Sequence, residues 1–488
     1  MMTTRRDWLK GLVATIGLDA VGGGRFLFAA PPGWTAPGGA KLVLGVFSDT
    51  HLRTDWTGLK AARTFPHDYL NAALEYFRAA NVDAVIHCGD MAHRGQVREL
   101  EFHAEAWRRF FPDNRAPDGH MVEKLFVTGN HETDGGRYGT DDGFKVEKAF
   151  PDPAERDRHV LAVDLAAKWE KVWGEKYEPV WHKEIKGYHF FGRHHGVGEM
   201  ELAKLVKRTN RAAGLEKGTK PFFLLSHVRP HAKLNRTMGK YRNAISLFGH
   251  WHRSASNWNV IHMWSGHPAI QIPACLPRGK LPLCEDAYIS RAKLEQGESQ
   301  FAGVARQGLV IRIYDDMMAI ERREFGAGGS LGADWILPLG KYEPHPFSRE
   351  ELQKVIGSPQ FRDGVELEIV SRRVAENAEM QSTPQNSLCV IKIPRADGNP
   401  NCRAYAYEVE VKGDEAAPSL LKATYAAGIN MGIGHETNGG VTELSFPAVE
   451  LPGGGKLEIS VTPLSSLGTR GAPLTLATLR NNKDETKS

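Results

Sequence analysis

The sequence predicts a layered α/β fold followed by a smaller all-β sandwich, and three observations carry this. Short apolar runs of strand length alternate with helix-period segments in the first part of the chain, and each run ends in a polar cluster. Beyond about residue 361 the period switches to two, with Gly- and Pro-containing turns. At 488 residues the chain has room for two or three domains. Apolar residues at 41% and charged residues at 25% fit a globular protein with ample core and exclude disordered and fibrous classes. Lys and Arg number 62 against 58 Asp and Glu, so the net charge is only +4. That balance speaks against a broad nucleic-acid surface or membrane surface, and any phosphate recognition must be local. The 51 glycines and 20 histidines favour many tight turns and a His-lined site.

The N-terminus reads Thr4-Arg5-Arg6-Asp7-Trp8-Leu9-Lys10, then a mildly apolar stretch, then Phe28-Ala29-Ala30 before Pro31. This resembles a bacterial twin-arginine export signal, with Trp8 where Phe is commonest. The resemblance implies the twin-arginine export machinery as a partner and a soluble mature protein in the periplasm or outside the cell. Asp19, Arg25 and a Gly triplet break the apolar run well before membrane-spanning length. The five cysteines are too few and too odd in number for a disulfide framework. Cys88 sits in a strand pattern as a core thiol, while Cys275 with Cys284 and Cys389 with Cys402 are close enough in sequence to pair.

In order along the chain, residues 1–30 are the expected signal and 31–40 a Pro/Gly-rich tether. Lys41 to Phe47 is a strand ending in Ser48-Asp49-Thr50-His51; Leu70, Leu74 and Phe77 set a helix that stops near Asn81; Val82 to Ile86 is a strand ending in Gly89-Asp90. That is a βαβ unit. A helix around Leu100 to Trp107 leads to a strand, Lys124 to Val127, ending in Gly129-Asn130-His131-Glu132. Tyr188 to Phe191 follows, then Phe222 to Leu225 ending at Ser226-His227, and Ile245 to Phe248 ending in Gly249-His250-Trp251-His252. Loops diverge at such strand ends, which is where layered α/β folds bind ligands. The first domain is expected over 41–345, a linker with a short helix around Glu350 to Ile356 over 346–360, and the sandwich over 361–488. In the sandwich Tyr405, Tyr407, Val409 and Val411 share one face, and Leu457, Ile459 and Val461 alternate with polar residues. The ending Leu457 to Gly468 resembles the last strands of a fibronectin type III module.

Taken together, the strand ends supply carboxylates, an amide and imidazoles but no thiolate, a donor set suited to a pair of divalent or trivalent first-row ions such as Mn, Fe or Zn. Asp49 and His51 are two residues apart, as are His250 and His252; in extended backbone each pair reaches one centre, and Trp251 points away. Asp90 is the obvious bridging carboxylate. The ordered set Asp-x-His, Gly-Asp, Gly-Asn-His-Glu, His, Gly-His-x-His resembles that of the calcineurin-like metallophosphoesterases over approximately Lys41 to Glu324. The resemblance implies a four-layer αββα sandwich with Asp49, His51, Asp90 and His252 on one metal and Asp90, Asn130, His227 and His250 on the other. It implies hydrolysis of a phosphomonoester or phosphodiester by a metal-bridging hydroxide. His131 is the expected acid for the leaving oxygen, and Arg94 the expected phosphate clamp.

Two departures stand out. His93 occupies the place of the Asp that orients the imidazole in protein-phosphatase relatives, so His131 loses its expected partner. It also occupies the place of the iron-binding Tyr of purple acid phosphatases. The rival reading is a non-catalytic metal-binding or surface-interaction scaffold of the same fold, and the sandwich could contact a glycan or cell surface. Specificity is expected in loops 53–66, 133–150 and 262–283. No candidate catalytic cluster follows Phe361, so the sandwich is expected to be dispensable for the chemistry.

Overall fold

A computed structural model of the chain describes residues 28–29, 38–52, 67–93, 95–133, 152, 165–217, 220–241, 243–264, 267–275, 306–326, 328–339, 349–373, 387–399, 401–413, 419–429, 431–434, 436–452 and 456–479. Arg94, Cys284, most of the expected signal and most of the three expected specificity loops lie outside the described residues.

The first domain is built on two sheets. One contains β1 (Phe28–Ala29), β2 (Leu42–Phe47), β3 (Ala84–Cys88), β4 (Glu123–Val127), β11 (Gln307–Ile313), β12 (Met317–Glu324), β13 (Gly329–Ser330) and β14 (Trp335–Pro338), in the order β1-β14-β12-β11-β2-β3-β4 with β13 on β12. The other contains β5 (Val180–Ile185), β6 (Tyr188–Arg193), β7 (Phe222–Ser226), β8 (Ala244–Phe248), β9 (Ile261–Trp264) and β10 (His267–Gln271), ordered β5-β6-β7-β8-β10-β9. β2, β3 and β4 run parallel, as do β6, β7, β8 and β10, so their C-terminal ends share one edge of each sheet.

Sequence period decides what each face meets. On β2, Leu44 and Val46 pack with Ile86, Leu125 and Ile311 against Phe190, Leu225, Ile245 and Leu247 of the second sheet. Phe47, Val85, Phe126 and Val310 face the other way, onto helices α1 (His67–Ala79), α2 (Val97–Phe110) and α4 (Leu165–Trp173). Leu70, Ala73, Leu74 and Phe77 of α1 follow the helical stripe, and the chain turns at Asn81 in left-handed backbone. On the second sheet Phe191, Phe222 and Leu224 meet α5 (Glu199–Ala213) and α6 (Ala232–Met238) through Leu202, Val206, Leu234 and Met238. Each such Leu or Phe contributes roughly 1.5–3 kcal/mol by burial. These clusters hold the strand ends in fixed relation, which the site requires. A short helix, α3 (Asn130–Thr133), starts directly at the end of β4.

The β1 pair lies inside the stretch expected to be the signal, and it extends the first sheet by pairing antiparallel with Trp335–Ile336 of β14. The expected linker is a packed joint. Helix α7 (Arg349–Ile356) buries Leu352 and Ile356 in the apolar cluster between the two sheets.

The C-terminal domain has a three-stranded sheet, β15 (Glu368–Arg373), β16 (Ser387–Ile393) and β19 (Thr442–Pro447), and a four-stranded one, β18 (Leu420–Tyr425), β17 (Ala406–Gly413), β20 (Lys456–Leu464) and β21 (Leu474–Leu479). Tyr405, Tyr407, Val409, Val411, Leu457, Ile459 and Val461 are buried with Ile391, Leu444 and Phe446 in one cluster, as the alternation requires. Cys275, Cys389 and Cys402 are free buried thiols, so Cys389 and Cys402 are not joined.

Candidate metal centre

Every polar strand end converges on one edge of the paired sheets. Asp49 and His51 follow β2, Asp90 follows β3, Asn130 and His131 follow β4, His227 follows β7, and His250 and His252 follow β8. Two glycines make the approach possible. A Cβ on Gly129 would overlap the Asp90 carboxylate, and one on Gly249 would overlap Ser48 Oγ and Asp49 Oδ2.

The donors form two groups that share Asp90. Asp49, His51, Asp90 and His252 place one ligand atom each within 4.8 Å of one another, and so do Asp90, His227 and His250. In the first, His252 Nε2 lies 3.1 Å from Asp49 Oδ1, and His51 Nε2 lies 3.1 Å from His252 Nε2 and 3.6 Å from Asp90 Oδ2. In the second, His227 Nε2 lies 3.1 Å from Asp90 Oδ2, 2.9 Å from Asn130 Oδ1 and 3.1 Å from His250 Nδ1. Thus the same oxygen, Asp90 Oδ2, serves both groups, while Asp90 Oδ1 accepts the His131 main-chain N–H at 2.9 Å.

The convergence is not produced by extended backbone. Asp49, His51, Asp90, His250 and His252 all have positive φ, between 43° and 74°, so left-handed turns aim the side chains. Nor do His250 and His252 reach one centre: His250 joins the His227 group and His252 the Asp49 group. Trp251 does turn aside, its ring 4.8 Å from both the Arg229 and the Arg253 guanidinium.

The surroundings fix each ligand. His227 Nδ1 donates to Cys88 O at 2.8 Å, which leaves Nε2 for the centre. The His250 main-chain N–H lies 3.1 Å from Asp49 Oδ2. Glu132, fully buried, accepts from the main-chain N–H of Asp90 at 3.0 Å, Ala92 at 2.7 Å and Gly129 at 2.6 Å, tying the β3 and β4 ends together. Nothing in the sequence beyond the Gly-Asn-His-Glu pattern marks that positioning role.

Electrostatics match a cation cradle. Burial works to raise the Asp49 carboxyl, but His252, His227 and the Ser48 hydroxyl together outweigh it and hold the group well below the usual carboxylate range. Burial likewise opposes ionisation of Asp90, and His227 brings its carboxyl down. His227 is opposed by burial too, yet Asp90 and Asp49 push it up to about 9. Burial and adjacent imidazoles hold His51 well below its ordinary value. Burial and the Asp90 charge raise Glu132 to about 8. Two ionised carboxylates, inward-facing imidazole nitrogens and an amide oxygen packed this closely fit first-row cations.

His131 has a partner after all. Its Nδ1 donates to the main-chain carbonyl of His93 at 2.5 Å, so a backbone oxygen stands in for the expected acidic side chain. Nε2 is left 3.9 Å from Asp90 Oδ2, facing the centre. The His51, His93 and His131 rings line one side of it, with centroids 4.5 to 5.5 Å apart. His194 and His267 are buried in structural roles, bonded to Thr128 and Ser246.

Residues 42–254 match the sequence profile of the calcineurin-like phosphoesterase family, so the chain carries a calcineurin-like metallophosphoesterase domain. No curated protein matches the chain. Among solved structures, a dimetal phosphatase from Danio rerio aligns with 62% of this chain and 100% of its own, at 11% identity and a TM-score of 0.35. A purple acid phosphatase from yellow lupin (Lupinus luteus) seeds aligns with 60% of this chain and 53% of its own, at 16% identity and a TM-score of 0.33. The family match and the site geometry together define a metal-dependent phosphoesterase.

Proposed function

We propose that this protein is an exported dinuclear-metal phosphoesterase that cleaves a phosphomonoester or phosphodiester, with a fibronectin type III-like sandwich at its C-terminus. The observation that carries the reading is the sharing of Asp90 Oδ2 between two complete donor groups. Asp49, His51, Asp90 and His252 would hold one ion, and Asp90, Asn130, His227 and His250 the other. A bound pair of Mn, Fe or Zn ions supplies an activated water at neutral pH and positive charge for the phosphoryl oxygens.

The chain's own residues supply orientation and proton handling. Glu132 and the left-handed turns fix the carboxylates before substrate arrives, so little reorganisation accompanies reaction. His131, its Nδ1 proton committed to His93 O, can carry a second proton at Nε2 and deliver it to the departing oxygen. His93 replaces the tyrosine of purple acid phosphatases, so no tyrosinate-to-iron colour is expected. Arg94 is assigned the phosphate clamp from its sequence position. The alternative, a non-catalytic scaffold, is disfavoured by the complete donor set. Glycan or surface contact through the sandwich is a further reading that rests on the sequence alone.

The test is a turnover screen of the Mn²⁺-loaded full chain against monoesters, diesters, cyclic nucleotides and phospholipid head groups. Hydrolysis of at least one class is expected; none across all four, with metal bound, favours the scaffold. Export is tested by Arg5→Lys with Arg6→Lys, which keeps the charge: precursor should accumulate inside the cell, and normal export would remove the assignment.

A further inference from the structure

The C-terminal sandwich reaches the segment that follows the last metal ligand. Residues 254–258 begin two positions after His252, and both domains hold them. From the first domain, Gln307 Oε1 accepts the Ala255 N–H at 2.8 Å, and the Arg322 guanidinium donates to Ala255 O at 3.0 Å. From the sandwich side, Ser256 Oγ donates to Ile429 O at 2.6 Å, and Ser466 Oγ accepts the Trp258 N–H at 3.0 Å. Cys402 and Leu467 of the sandwich belong to the same apolar cluster as Trp258 and Trp335.

The sandwich elements that make these bonds are themselves braced. Arg403 donates to Met431 O and Gly428 O at 3.0 Å each and pairs with Glu436 at 2.6 Å, fixing the loop that carries Ile429. The turn carrying Ser466 is closed by Ser465 Oγ, which accepts the N–H groups of Leu467 and Thr469. Gln353 of α7 donates to Leu467 O at 2.9 Å, and Ile433 N–H to Ser330 O at 2.8 Å, so the two domains are joined on either side.

His250 and His252 have φ of 74° and 51°. Non-glycine residues keep such backbone only where the surroundings over-determine it. At His250 the restraint comes from the Asp49 carboxylate, which accepts its N–H, and just before it from His227 O, which accepts the Gly249 N–H at 2.9 Å. After them it comes from the shared segment. We propose that the sandwich is a positioning element for the His250–His252 loop, acting through Ser256 and Ser466, so that its docking sets how firmly the centre holds its ions. The role in metal retention rests on the phosphoesterase reading; the restraint of the loop does not. It replaces the expectation that the sandwich is dispensable.

The test uses full-length protein carrying Ser256→Ala and Ser466→Ala. Each substitution removes a hydrogen bond worth roughly 1 kcal/mol, about fivefold in a local opening equilibrium. Amide exchange over residues 249–260 should accelerate at least about fivefold while Tm stays within about 5 °C of the parent. Release of Mn²⁺ to a chelator should accelerate to a similar degree. The Mn²⁺ concentration for half-maximal turnover should rise while kcat at saturating Mn²⁺ returns to near the parent value. Ser256→Thr, which keeps the hydroxyl, should restore the parent behaviour at that position, and Lys392→Ala, in an exposed sandwich ion pair, should change nothing. Should the double variant fail to fold, Ser256→Ala alone decides by the same criteria. Exchange within twofold of the parent over 249–260 overturns the proposal. If the parent binds no Mn²⁺, the phosphoesterase reading falls, while the exchange measurement still decides the restraint.

Discussion

In the first domain, nine described residues other than glycine have positive φ, and Asp49, His51, Asp90, His250 and His252 are five of them. In the C-terminal sandwich every described residue with positive φ is a glycine, as at Gly428, Gly434, Gly439 and Gly468. Both domains have similar apolar interiors of alternating strand residues. What separates them is where unfavourable backbone sits. Among its described residues the sandwich takes left-handed backbone at glycines alone, where it costs little. The first domain also takes it at five of its ligands, where a side chain is needed and glycine would supply none. Backbone strain at those positions is the cost of aiming carboxylates and imidazoles inward, and burying them together adds desolvation.

The sharpest way to break this contrast is Asp90→Gly. It removes the shared carboxylate and relaxes a left-handed residue at once. Metal content should fall from close to two ions per chain to clearly fewer, and turnover by more than about a hundredfold, beyond the effect of losing an outer-shell partner. The metal-free variant should be as stable as the metal-free parent or more so. Unchanged metal content, or a large loss of metal-free stability, would remove the claim that strain there serves the site. Next in size is His131→Gln, expected to lower turnover of esters with poor leaving groups by about 10²–10⁴ while both ions stay bound. The loss should shrink for good leaving groups, which need no proton; equal losses for both would mean that His131 acts in some other way.

The sandwich should answer differently. Ile459, fully buried in its core, becomes a cavity in Ile459→Ala, and unfolding free energy should fall by about 2–5 kcal/mol in denaturant titrations. Metal content of the folded protein should not change, because that side chain packs within the sandwich and away from residues 254–258. The smallest effect concerns pH. His103 is buried beside Phe47 and Trp173, and burial pushes its imidazole down to about 3. It is neutral when folded but takes a proton near pH 6.5 when unfolded. Its contribution is therefore fully present above about pH 6.5 and is lost as pH falls below that value toward 3. Between pH 7 and pH 5 the parent should lose about 2 kcal/mol more than His103→Leu. Equal losses would show that His103 is not the source of the acid sensitivity.

Much of the fold was legible because buried strands and helices write their periods into the chain. Leu44 and Val46 face the second sheet while Phe47 faces α1, and Tyr407 to Val411 alternate in the sandwich. The site was legible because Gly89-Asp90, Gly129-Asn130 and Gly249-His250 pair a close approach with a ligand, and only certain residues can do either. The route to convergence was not legible. A two-residue spacing suggests extended backbone, whereas the chain uses left-handed turns that send His250 and His252 to different donor groups. The partner of His131 was invisible for a related reason: His93 offers it a main-chain carbonyl, which every residue has. The bonds of Ser256 and Trp258 to the sandwich join residues 173 and 208 positions apart, and no local pattern records them.

In the proposed function one carboxylate oxygen, Asp90 Oδ2, joins two cation sites whose joint occupancy makes a phosphoesterase. Titration of the metal-free full chain with Mn²⁺, following bound metal and hydrolysis of a chromogenic phosphate ester in the same samples, tests it most directly. Binding should saturate near two equivalents, with most of the turnover appearing as the second equivalent binds. Saturation at one equivalent, or two bound ions with no hydrolysis of any ester in the screen, would contradict it.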